Sequence, residues 1–128
     1  MEKDRLAEKI LELFPELRVH VAAATDSRSL MLEIVPWVEG NHLDRSLALQ
    51  RLKALVAWAE TAPSGDDDPY SIVHVFLLEE VAKSDELWEL APRLVSLEDF
   101  QINHDYWVQW VGQSRMKQIL ERFEDEAP

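Results

Sequence analysis

Apolar residues return every three or four positions along most of the chain, and strand-like alternation is sustained nowhere. The longest such stretch places Leu43, Leu47, Leu52, Leu55, Val56 and Ala59 on one face and Arg45, Gln50, Arg51, Lys53 and Glu60 on the other. A helix with that 3.6-residue period buries one stripe and solvates the rest. At 128 residues the chain is long enough for one core and short for two,. The expectation is therefore an all-α protein, an irregular bundle of about six helices forming a single domain over residues 1–128,.

Proline, glycine and capping side chains punctuate the pattern. Leu6, Ile10, Leu13, Phe14 and Leu17 form a first stripe, which Pro15 should kink or break because it lacks an N–H and disfavours helix at Phe14, leaving a short second run over 18–24,. Asp26 and Ser27 are N-cap candidates for a third run through Leu30, Ile34, Trp37 and Val38,. Residues 30–38 could also be a buried strand, since Pro36 disfavours helix, but a lone strand has nothing to pair with, so helix is the reading,. Gly40-Asn41 reads as a C-cap and turn,. After a loop at 62–68, Asp68-Pro69 starts a helix reaching about Lys83,. Ser84-Asp85-Glu86 then caps a short helix ending near Leu94,. Ser96 begins one more turn, and Asn103 caps a run with Tyr106, Trp107, Trp110 and Val111 on one buried side. Gly112 interrupts that run before Met116, Ile119, Leu120 and Phe123 resume it in a shifted phase, with fraying over 124–128,.

The net charge of −12 is unevenly spread. Residues 60–105 hold twelve acids against only Lys83 and Arg93, while the flanking blocks are nearly neutral. Direct contact with nucleic acid phosphates is disfavoured, since that contact needs Lys and Arg to displace counterions. No apolar stretch approaches a membrane span, the first nine residues lack the apolar core of a signal peptide, and there is no cysteine,. These features lead to the expectation of a cytoplasmic protein without membrane contact.

The same residues form no familiar catalytic or metal-binding pattern. His20, His42, His74 and His104 fall in separate segments, and only Glu16 and His20 sit one turn apart,. Asp66-Asp67-Asp68 lacks the alternation, the glycine and the closing Glu of a calcium loop,. Three glycines form no phosphate loop, and no serine has a nucleophile-elbow context,. His74 reads as a core-edge histidine with a hydrogen bond. No catalytic, cofactor or metal residues are assigned on these grounds, and a non-enzyme is expected.

A protein-binding role is what the remaining features point to. Trp58 falls off the apolar face of its helix, and Trp88 lies beside Glu86 and Glu89. Aromatics among acids are the composition of a hot spot against a basic partner, because the ring supplies buried area while carboxylates pair with Arg or Lys. The expected contact set is Asp66, Asp67, Asp68, Glu79, Glu80, Asp85, Glu86, Trp88, Glu89 and Trp58.

The run Leu11-Glu12-Leu13-Phe14-Pro15-Glu16-Leu17, the helix end Leu55-Val56-Ala57-Trp58-Ala59-Glu60, the acidic loop, and Phe76-Leu77-Leu78-Glu79-Glu80 leading to Leu87-Trp88 together resemble a family of small all-helical bacterial domains of unknown function. Some members are encoded beside polymorphic toxins as candidate immunity proteins. The resemblance runs to about Phe100 and brings no catalytic residues. It implies a helical fold and a neutralising role, in which the acidic block covers the cationic cleft of a basic toxin domain. The alternative is a helical adaptor or structural interaction domain whose acidity serves solubility.

Overall fold

Pro15 divides the first stripe in two. In the computed structural model, which describes residues 2–24, 27–61 and 69–126, α1 (Glu2–Leu13) ends before it, and a 3₁₀ turn (Pro15–Leu17) leads into α2 (Arg18–Ala23). Phe14 and Leu17 are buried at this bend, so the break turns two apolar side chains into the core. Arg51 fixes it from outside: one guanidinium nitrogen donates to both carboxylate oxygens of Glu16 at 3.0 and 3.2 Å, and the guanidinium lies 5.4 Å from the Phe14 ring centroid,.

Residues 30–38 are helical. α3 (Ser27–Gly40) runs through Pro36, with Leu30, Met31, Ile34, Val35 and Val38 buried. Pro36 and Leu32, whose carbonyl loses its partner to the proline, are both solvent-exposed residues, where water can take the freed bond,. The helix ends at Gly40 with a turn at Asn41-His42, as expected, but the left-handed residue of that turn is not a glycine. His42 holds the left-handed position (φ 49°), its N–H donates to the Glu39 carbonyl, and the Leu43 N–H donates to the Val38 carbonyl, both at 3.2 Å. That pair of bonds is a Schellman closure with a histidine at the residue where glycine is usual.

α4 (Arg45–Thr61) is the longest helix among the described residues, and Asp44 caps it by accepting from the N–H groups of Ser46 and Leu47,. The expected caps Asp26 and Asp68 lie outside the described residues. From residue 69 the chain forms α5 (Pro69–Ser71), a π-helical segment (Ile72–Leu77) and α6 (Leu78–Lys83). Ser84 caps as its sequence position suggests, accepting from the N–H groups of Glu86 and Leu87 while donating to Glu39 at 2.8 Å. The stretch after Ser84 is less regular than the expected helix: a turn, a 3₁₀ segment (Trp88–Leu90) and α7 (Ala91–Leu94).

α8 (Leu97–Ile102), capped by Ser96, α9 (His104–Val111) and α10 (Gln113–Glu126) complete the order. Gly112 (φ 94°) breaks the chain between α9 and α10, a conformation that suits glycine,. Helix continues through Glu124 and Asp125. The described residues contain no strand, and the fold is all-α. Ile10, Ile34, Leu52, Leu55, Val81, Phe100, Trp107 and Ile119, from helices along the whole chain, belong to one contiguous buried cluster. No helix among the described residues is long and apolar enough to cross a membrane.

Candidate functional site

Of the expected contact set, Glu80, Asp85 and Glu86 line one pocket, which Glu39 and Lys83 share. Asp66, Asp67 and Asp68 lie outside the described residues. Most of the described acids are met by the chain's own bases. Glu80 pairs with Lys83 at 2.8 Å, Asp85 with Arg115 at 2.6 Å, and Glu89 with both Arg45 at 3.5 Å and Arg122 at 3.3 Å. Three of these bases belong to α4 and α10, which read as neutral blocks in the sequence. Packing those helices against residues 79–89 brings the arginines over, so charge segregated along the chain is partly compensated in space.

Glu79 is buried rather than presented to a partner, and burial pushes its carboxyl above the usual value, with Glu80 adding to the rise and Lys83 opposing it,. Glu86 is exposed. Trp88 is half-buried, with the Arg115 guanidinium 5.4 Å from its ring centroid. Trp58 is also half-buried and packs against the core. Both rings pack against the core and are therefore only partly available to a partner.

A different aromatic is free. The spacing predicts Trp110 beside Trp107 on a buried stripe, yet Trp107 is fully buried and Trp110 is 60% exposed. Three residues on a helix differ by about 60° in direction, enough to put one ring in the core and the other outside. Tyr106, one turn before Trp110, is also exposed, as are Ile102 and the acids Glu98 and Asp105. An aromatic-with-acid composition like that expected for residues 79–89 is therefore exposed over α8 and α9. Sequence could have flagged it: Ile102, Tyr106 and Trp110 recur at four-residue spacing, a second stripe beside the Trp107 one.

Two other features carry potential binding chemistry. A cleft of about 410 Å³ between α8–α9 and α10 has Phe100, Val108, Met116 and Leu120 among its lining residues, with Asp105 and Lys117 at its rim. Its polar lining is His104, Asp105, Gln113 and Lys117, with His104 Nδ1 3.5 Å from Asp105 Oδ1. Glu60, His74 and Asp99, from three separate segments, have ligand-type atoms within 4.8 Å of one another. Helical i, i+4 spacing gives no hint of this group, since none of its members are sequence neighbours.

No protein-family model, curated protein or solved structure matches the chain.

Proposed function

We propose that this chain is a non-enzymatic, cytoplasmic protein-binding domain that neutralises a basic partner, a toxin domain, by covering a cationic surface or cleft. The observation that carries this reading is the exposure of Trp110 and Tyr106, four residues apart on α9, with Glu98, Ile102 and Asp105 also exposed in the stretch leading to them. Exposed large apolar groups are ordinary when scattered, but a clustered pair of aromatics is a binding anchor. The net charge of −12 supports a basic partner, because it raises encounter rates with cations and disfavours acidic competitors,. The resemblance to candidate immunity domains supports toxin neutralisation as the purpose of the contact.

The anchor thus moves from Trp58 and Trp88 to α9, while Asp66, Asp67, Asp68 and Glu86 stay in the proposal as charges that steer. A second reading, an adaptor or structural domain whose acidity serves solubility, is favoured by the internal pairing of Glu80, Asp85 and Glu89. Affinity capture from the native host separates the two. The inhibitor should retain a basic protein that is toxic when expressed alone and harmless when co-expressed with this chain, and Trp110→Ser should lose it. Capture of no basic protein, or equal capture by Trp110→Ser, contradicts the proposal.

A further inference from the structure

His74 lies in the π-helical segment Ile72–Leu77, a widening of the backbone that recurs at functional positions,. It is 1% exposed. Its Nδ1 sits 3.0 Å from the Tyr70 carbonyl oxygen, an atom that can only accept, so Nδ1 carries a proton and donates it there,. In the neutral ring, Nε2 then presents its lone pair on the opposite side. That nitrogen is fully buried and makes no hydrogen bond to any described residue. The Tyr70 ring, stacked on the imidazole at 4.0 Å and 15°, holds its plane.

Two carboxylates face this lone pair. Glu60 Oε1 is 3.4 Å from Nε2, and Glu60, His74 and Asp99 each offer a ligand-type atom within 4.8 Å of the other two. Acceptors gathered around a buried lone pair repel unless a positive charge sits between them. The 3.4 Å gap is long for a hydrogen bond, but it is about the edge of a tetrahedron whose metal–ligand bonds are roughly 2.0–2.1 Å,.

We propose that Glu60, His74 and Asp99 bind one divalent transition-metal ion of the zinc type. An imidazole nitrogen with two carboxylates suits zinc better than calcium or magnesium, which prefer oxygen throughout. The supports expected around such a site are present. The Tyr70 carbonyl orients the imidazole, and the Asp99 backbone is held on both sides, its N–H donating to Ser96 Oγ and its carbonyl accepting from Asn103 Nδ2,. The ion would join the end of α4 to the π segment and to α8, and at least one coordination position would remain for water, since Glu60 is half exposed.

The test uses the full chain stripped with EDTA and titrated with zinc chloride by calorimetry, with cobalt chloride as a spectroscopic substitute. We expect one zinc per chain, a rise of about 5 °C in the unfolding midpoint at saturation, and a visible cobalt band. Glu60→Gln and Asp99→Asn, both at positions that are not fully buried, should keep the helical circular dichroism and weaken zinc binding at least about tenfold. Absence of saturable uptake overturns the proposal. Uptake indifferent to both variants does so too, placing the ion on other surface acids. So does a ¹⁵N spectrum at neutral pH, recorded with zinc present, in which Nε2 carries a proton, because the site is then an imidazolium held by two carboxylates.

Discussion

Arg115 Nη2 donates to Asp85 Oδ1 at 2.6 Å, while Nη1 of the same guanidinium donates to the carbonyls of Ala82 at 3.0 Å and Ser84 at 3.2 Å. One side chain of α10 thereby closes the C-terminal end of α6 and neutralises an acid just beyond it. A cation there also suits the negative end of the helix. Arg115→Ala should cost about 1.5–3 kcal/mol in urea unfolding, the range for hydrogen bonds to a charged group. Asp85→Asn should cost less than about 1 kcal/mol, because that carboxylate is 91% exposed and water screens the pair,. Equal losses would mean that the ion pair, not the carbonyl contacts, fixes α10.

His42 adopts a left-handed backbone that glycine takes without strain,. His42→Gly should raise stability by about 0.5–1 kcal/mol, the strain relieved being partly offset by the greater freedom of glycine in the unfolded chain. Thermal unfolding of the variant beside the parent checks this. A loss instead would show that the imidazole makes a stabilising contact of its own.

Glu79 gives a pH signature. Burial raises its folded carboxyl above the reference value of 4.5, so between those two points the folded state holds more proton than the unfolded one,. Stability attributable to this group is therefore full below pH 4.5 and is lost as pH rises through the folded value. Glu79→Gln should raise the unfolding midpoint at pH 7, and the gain should vanish as pH falls below 4.5. Glu16 works in the opposite sense, since the hydrogen bond from Arg51 lowers its carboxyl. Its stabilisation is present above 4.5 and is lost as pH falls through the depressed value, so comparing variant with parent at each pH isolates Glu79.

Trp107 and Trp110 should separate sharply in stability. Trp107 is fully buried between Phe100 and the rest of the core, its ring 5.7 Å from that of Phe100. Trp107→Ala should cost about 3–5 kcal/mol by leaving a cavity. Trp110→Ser should stay within about 0.5 kcal/mol, as exposed substitutions do. Urea denaturation of both variants measures the contrast, and a large loss for Trp110→Ser would mean that the ring is packed rather than presented.

Local chemistry was legible in the sequence and long-range pairing was not. The break at Pro15, the cap at Ser84 and the change of phase at Gly112 follow from what one residue does to its own backbone. The helical outcome over residues 30–38 was readable only by weighing periodicity against Pro36, because the solvent exposure that lets the helix tolerate the proline is a tertiary fact. The placement of Trp110 failed for a related reason: two apolar stripes adjoin on α9, and periodicity cannot say which one faces the core. Charge blocks misled because they count along the chain, while Arg45, Arg115 and Arg122 meet Asp85 and Glu89 across helices. The grouping of Glu60, His74 and Asp99 depends on the same kind of packing between segments far apart in sequence.

In the proposed complex Trp110 anchors a basic partner drawn in by the net negative charge. Association and dissociation rates of the captured partner, measured by surface binding for the parent and for Trp110→Ser at low and high salt, test it most directly. We predict association that slows as salt rises in both proteins, and dissociation at least about tenfold faster in the variant, as for loss of a hot-spot side chain. Dissociation unchanged by Trp110→Ser, or association indifferent to ionic strength, would contradict it.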